Sequence, residues 1–174
     1  VSANCVAAWD GSSWTPLGDG IKGFDSYVNS LTIYDGKLIA GGIFTYAGGV
    51  VTNNITAWNG SSWAPLDAGM DNTVLALTVY DGKLIAGGEF TTAGGKKASR
   101  IAEWDGSSWS PMGAGIDSTV YCLTGYDGKL IAGGIFTHAG EVQANSIAAW
   151  DGSSWTTLGS GISGFYHSVY AMTV

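Results

Sequence analysis

Tyr34–Gly42 reads YDGKLIAGG, and the same stretch returns as Tyr80–Gly88 and Tyr126–Gly134, at a step of 46 residues. A fixed period of this length points to a repeat architecture in which each unit needs its neighbours to bury its apolar face. Asp-Gly between two apolar runs is a strong hairpin signal, because a two-residue type I′ turn requires positive φ at both central residues. Tyr-Asp-Gly-Lys therefore closes an antiparallel strand pair three times over. The second strand ends on two glycines, which let a bulky ring or a neighbouring backbone come close. A phosphate-cradling loop would need a helix after these glycines, whereas Ile43-Phe44-Thr45 continues as strand.

Outward from this stretch, each unit contains four short strands. In the first full unit they fall at 28–34, 37–44, 54–58 and 63–66, with a longer loop, Thr45–Asn53, before strand three. The units span about 27–66, 74–112 and 120–158, as parts of a single domain running over 1–174. Residues 1–17 supply the last two strands of a preceding unit, and residues 168–174 the first strand of a following one. Trp58, Trp104 and Trp150 keep the 46-residue step, but Trp9 lies 49 residues before Trp58, so the connection Gly20–Tyr27 holds three extra residues. Strand one is apolar or small on both faces: Val74, Ala76 and Thr78 on one, Leu75, Leu77 and Val79 on the other. An antiparallel sheet with one wet face would alternate instead, so this pattern calls for burial on two sides. The expected fold is all-β, a β-propeller of four-stranded antiparallel blades, three complete and two partial. Since propellers close with four or more blades, the chain is expected to be a fragment of a larger propeller.

The composition agrees. The chain has 174 residues, 28 of them Gly and eight Trp, with only 12% charged residues. That profile suits short strands joined by tight turns. A net charge of −7, with no basic cluster beyond Lys96, Lys97 and Arg100, argues against nucleic acid as a partner. No apolar run is long enough to span a membrane, and Val1 does not open a signal peptide; any export signal would lie upstream. Cys122 shares its repeat position with Ser30, Ala76 and Ala171 and is expected to be buried filler. Cys5 aligns with Asn54, Arg100 and Ser146, so it is expected to be more exposed and unpaired with Cys122.

The double glycine, an aromatic in strand three and a Trp in strand four resemble the kelch repeat. Gly41-Gly42 with Trp58 and Trp63, Gly87-Gly88 with Trp104 and Trp109, and Gly133-Gly134 with Trp150 and Trp155 fill these places. Pro65-Leu66 and Pro111-Met112 resemble the kelch ending. Two departures are the shorter turn between the aromatics and Trp rather than Tyr in strand three. The pattern GGxFTxAGG…IAxWDGSSWxxLGxG is more similar to repeats of long secreted or surface-attached bacterial proteins, related to the Rax2-like propeller region. Phe44-Thr45, Ala47-Gly48-Gly49, Ile55 and Trp58 carry that likeness. The resemblance implies a propeller and an extracellular or cell-surface location.

Residues suited to catalysis are accounted for by turns. Asp10, Asp105 and Asp151 sit in Trp-Asp-Gly, and Asp35, Asp81 and Asp127 in the hairpins, where Asp bonds its own backbone. His138 and His167 have no second ligand at metal spacing, and no EF-hand loop is present. The copper oxidases with kelch-like propellers use a linked Tyr–Cys pair, but Tyr121 and Cys122 are strand neighbours pointing to opposite faces. No cofactor, metal or enzymatic activity is expected. Asn54-Ile-Thr and Asn59-Gly-Ser fit glycosylation sequons.

What varies between units carries the functional expectation. The loop after Phe44, Phe90 and Phe136 offers Tyr46, Val50 and Val51, then Thr92, Lys96, Lys97 and Arg100, then His138, Glu141 and Gln143. Loops on a rigid scaffold are where recognition is placed, so Tyr46, Thr92, Lys96, Lys97, Arg100 and His138 are the candidate ligand-binding residues. The expected role is a non-catalytic structural or interaction segment of an exported or cell-surface bacterial protein, serving adhesion, assembly or scaffolding. Its partners would be protein or glycan at these loops, or further blades from this chain or other copies. The alternative is a lectin-like, carbohydrate-binding propeller with one pocket per blade, using Trp or Tyr stacking.

Overall fold

The computed structural model describes residues 2–162, 164 and 167–173. All regular structure among them is β-strand, so no helix there is long and apolar enough to cross a membrane. The first blade is formed by Tyr27–Tyr34, Lys37–Ile43, Ile55–Trp58 and Trp63–Pro65. The second uses Val74–Tyr80, Lys83–Gly88, Ile101–Trp104 and Trp109–Pro111. The third uses Val120–Tyr126, Lys129–Gly134, Ile147–Trp150 and Trp155–Thr157. Each is a four-stranded antiparallel meander in sequence order, and Ala7–Trp9 pairs with Trp14–Pro16 ahead of them. The first strands of successive blades lie beside one another, which puts strand one innermost and strand four outermost. The fold is that of a β-propeller built from four-stranded blades.

The hairpin turns have the backbone their sequence demands. Asp35 and Gly36 take φ of 49° and 68°, and Asp81-Gly82 and Asp127-Gly128 do the same, as a type I′ turn requires. Tyr34 is thereby registered against Lys37. The two glycines that follow serve different ends. At Gly87 an added Cβ would lie 2.7 Å from Val120 Cγ1 of the next blade, so this glycine receives a neighbour's valine. At Gly88 it would strike the Thr73 carbonyl oxygen, beside a β-bulge between Val74 and Ala76. Bulge and bare Cα recur with Gly42 and Gly134, so the second glycine admits a backbone rather than a ring.

The core lies between blades. One apolar cluster joins Ile39, Ile55 and Leu66 of the first blade to Leu77, Leu84 and Trp109 of the second, and another joins the second blade to the third. Phe90, Phe136 and Trp109 are almost wholly enclosed, each such side chain contributing about 1.5–3 kcal/mol. Tryptophans bind the seams directly. Trp63, Trp109 and Trp155 donate their indole N–H to the carbonyls of Leu17, Leu66 and Met112, the last residues of the preceding unit. Each packs against its hairpin partner, with ring centroids 5.2–5.3 Å apart.

Four expectations change. The segment 45–53 is no plain loop: Tyr46–Ala47 and Val50–Val51 form a small hairpin that also pairs with Ile21–Lys22. Its Ala-Gly-Gly turn has positive φ at both glycines, as does that of Thr92–Ala93/Lys96–Lys97, while His138–Ala139/Val142–Gln143 keeps the hairpin with positive φ at Gly140 and Glu141 in the second place. Strand three begins at Ile55 because Asn54 is left-handed, with φ of 67°. Residues 168–173 carry no strand assignment, although Val169 presses on Gly133 just as Val120 does on Gly87. Val1 and Val174, the outermost residues of the two partial blades, lie outside the described residues. Two-sided burial of strand one holds for Val74, Ala76 and Leu77, whereas Val79 of the second blade and Leu31 and Ile33 of the first are exposed towards the strand end.

Candidate functional site

The small hairpins after strand two stand in a row at one end of the blades. Cross-strand pairing puts Tyr46 opposite Val51, Thr92 opposite Lys97 and His138 opposite Gln143, so these six occupy the same two places on three copies of one backbone. Between them the invariant Ala47, Ala93 and Ala139 are buried and anchor each hairpin. The outward residues Tyr46, Val50 and Val51 are exposed.

Asp71 and Asp117 hold the second and third hairpins in place. The Asp71 carboxylate accepts the Thr91 hydroxyl at 2.6 Å and the Thr91 and Thr92 amides at 2.8 Å. Burial alone would raise its pKa, but the Thr91 hydroxyl and the two amides together hold it below the usual carboxylate value. Asp117 repeats this with Thr137, 2.6 Å from its hydroxyl, and its pKa is lowered against the same opposing burial. His138 Nδ1 lies 3.3 Å from the Asp117 carboxylate and 2.9 Å from the Thr137 hydroxyl, so its outer nitrogen is the one turned to the surroundings. In the first unit Lys22 takes the Asp position, and its backbone accepts the Thr45 amide.

Of the six candidate residues, Tyr46, Thr92, Lys97 and His138 thus share one surface. Lys96 lies on the same hairpin, but its ammonium reaches the Trp109 carbonyl at 3.1 Å. Arg100 stands apart. With φ of 65° its side chain turns back into the blade junction and its guanidinium donates to the Glu89 carbonyl. Asn54 fills the same repeat position and bonds Phe44 N and Met70 O, which also commits the Nδ2 that the first sequon would glycosylate. Asp71 and Asp117 are the residues of this surface that the sequence reading does not single out. The visible signal was an Asp placed twenty residues before a Thr in two successive units.

The other candidate chemistries resolve into structure. Asp10, Asp105 and Asp151 each accept two backbone amides and hydroxyls from the Ser-Ser that follows. The Ser108 amide, the Ser107 hydroxyl and the Ser107 amide hold Asp105 at about 2, and the same network keeps Asp10 and Asp151 well below the ordinary value. Cys122 is buried and its thiol is pushed up to about 11 by desolvation, while Tyr121 turns away to stack on Tyr170 at 4.8 Å. Among the described residues no group of three or more His, Cys, Asp or Glu is placed to hold a metal. The tryptophan faces that sugar stacking requires are largely covered: Trp109, Trp150 and Trp155 are buried at the seams.

The bladed architecture places the chain in the β-propeller class. A family model described as a β-propeller domain of unknown function (DUF5122) matches residues 35–56, 81–103 and 127–148. Each match runs from the Asp-Gly turn through strand two and the small hairpin into strand three. No curated protein matches the chain.

Proposed function

We propose that this chain is a rigid, non-catalytic recognition scaffold, belonging to an exported or cell-surface protein, whose row of hairpins binds another macromolecule. One observation carries the reading. Near-identical backbones present Tyr46 with Val51, Thr92 with Lys97 and His138 with Gln143 at register-equivalent outward positions, so chemistry changes while geometry is kept. The buried alanines and the Asp71 and Asp117 clamps fix these side chains in advance, which lowers the ordering cost of binding. The carboxylates of Asp10, Asp105 and Asp151 are engaged by the amides of their own turns, which fits a structural role for them. The location rests on the likeness to surface-protein repeats; the kelch-like kinship belongs to the same proposal.

The test is a binding screen against arrays of extracellular proteins and cell-wall glycans, repeated with Tyr46→Ala, Lys97→Ala and His138→Ala. At least one partner should lose tenfold or more in affinity in at least one variant whose melting temperature is unchanged. Partners that bind all three variants as tightly as the parent would refute the hairpin surface.

A further inference from the structure

A second site lies at the opposite end of the strands, beside the Tyr-Asp-Gly-Lys turns. Between the first and second blades is a partly open cavity of about 290 Å³ whose lining includes Tyr34, Lys37, Ile39, Ala57, Asn59 and Trp104. Its floor is formed by the buried Ile39, Ala57, Leu66 and Trp104, while Ala64 and Pro65 line its exposed rim, and its volume equals that of roughly ten waters at about 30 Å³ each.

The repeat itself shows what this space accommodates. In the second blade Glu103 stands opposite Ile85, and its carboxylate bonds the Lys83 ammonium at 2.7 Å. In the first blade Ala57 stands opposite Ile39 in the same register, and Lys37 has no such partner. Among the described residues its one ion pair is with Asp35, at 3.8 Å and largely in solvent. The tyrosines differ in parallel. Tyr80 donates its hydroxyl to the Gly128 carbonyl at 3.0 Å, whereas the hydroxyl of its counterpart Tyr34 makes no hydrogen bond among the described residues. One junction therefore holds an internal carboxylate; the other has a lysine, a phenol and an apolar hollow without one.

We propose that the cavity between the first two blades binds a small monocarboxylate with an aromatic or branched aliphatic body. The carboxylate would take the place that Glu103 fills beside Lys83, accepting from the Lys37 ammonium and the Tyr34 hydroxyl. The body would lie against Ile39, Ala57 and the Trp104 ring. A single cation with Asp35 nearby suits one negative charge and disfavours a phosphate dianion, whose extra charge would be desolvated without a partner. Cavities of about this size, with an apolar floor and a few convergent polar groups, suit small ligands. The site is independent of the hairpin surface.

Phenylacetate and its neutral analogue phenylacetamide are the probes, titrated into the whole chain by calorimetry and by intrinsic fluorescence, to which Trp104 contributes. One phenylacetate site is expected, preferred at least tenfold over the amide. Ala57→Glu recreates the second blade's arrangement and should weaken binding tenfold or more without lowering the melting temperature. Glu103→Ala frees Lys83 beside Ile85, with Tyr80 still bonded to Gly128, and should add a second, weaker site that raises the stoichiometry from one to two. The proposal is overturned by any of these results: no saturable binding up to about 10 mM, no preference for the acid, binding insensitive to Ala57→Glu, or a stoichiometry that stays at one in Glu103→Ala.

Discussion

Two adjacent glycines with different neighbours offer the sharpest test of how the blades are joined. Neither Gly87 nor Gly88 has positive φ, so replacement by Ala acts through contact and not through backbone strain. A Cβ on Gly88 runs into the Thr73 carbonyl oxygen, which already accepts the Glu89 amide at 2.9 Å. Relief requires the bulged start of strand one to move. That combines overpacking of about 1–3 kcal/mol with a weakened hydrogen bond of about 1 kcal/mol, less about 0.5–1 kcal/mol from replacing a flexible Gly. The net is about 1–3.5 kcal/mol, or roughly 2–14 °C in melting temperature for a chain of this size. At Gly87 the Cβ meets only side-chain atoms, Val120 Cγ1 at 2.7 Å and Leu123 Cδ1 at 3.2 Å, so the expected loss is smaller, about 1 kcal/mol. Gly125 is the control. It lies in a strand with φ outside the left-handed range and nothing within 4 Å of its added Cβ, so Gly125→Ala should be neutral or slightly stabilising. Thermal and urea melts followed by tryptophan fluorescence should rank the variants Gly88→Ala, Gly87→Ala, Gly125→Ala from least to most stable. Gly88→Ala melting within a degree of Gly125→Ala would falsify the claim that the second glycine exists to admit a backbone.

Three further outcomes follow from the seams and turns. Trp109→Phe deletes a buried indole N–H bond to Leu66 and should destabilise by about 2–4 kcal/mol. Trp14→Phe, at a half-exposed ring, should stay within about 0.5 kcal/mol in the same urea titration; equal losses would refute the seam assignment. The turn carboxylates have folded pKa values below their unfolded ones, so their stabilisation is present above about pH 4 and fades as pH falls towards 2. Melting temperatures should drop over that window, and Asn59→Asp, which gives the first blade the same turn, should raise stability at pH 6 but not at pH 2. Finally, a thiol reagent at pH 8 should label exposed Cys5 quickly and Cys122 only on unfolding. Rapid labelling of both would contradict the packing of strand one.

Much of the architecture was readable because the repeat supplied its own alignment. Asp-Gly fixed the hairpins, Gly-Gly marked a close approach, and a strand without alternation implied neighbours on both faces. What escaped notice depended on pairing between segments. The hairpin at Tyr46–Val51 has strands of only two residues, too short for any periodicity, and it is held partly by Ile21–Lys22 more than twenty residues away. Asn54, Arg100 and Ser146 share a left-handed backbone that polar side chains concealed, since Gly is the usual mark of such a position. That is why Arg100 reads from sequence as a loop cation, although it turns inward to Glu89. The candidate surface was legible as variation against a constant background, but the Asp71 and Asp117 clamps that make it rigid needed coordinates.

The same contrast explains how so regular a chain can carry specific sites. Positions that face the seams cannot vary freely, because each is packed against a neighbour of the same sequence: a valine needs a glycine opposite, and an indole N–H needs a carbonyl. Changes are tolerated where a junction can close in more than one way. Glu103 fills and neutralises its junction through Lys83, while Ala57 leaves a cavity beside Lys37 in an otherwise equivalent frame. Asn54 and Arg100 likewise reach different carbonyls from one backbone position. Since the apolar seams already hold the blades together, these exchanges alter local chemistry without endangering the fold, and a stack of near copies can thereby acquire junctions that are chemically distinct.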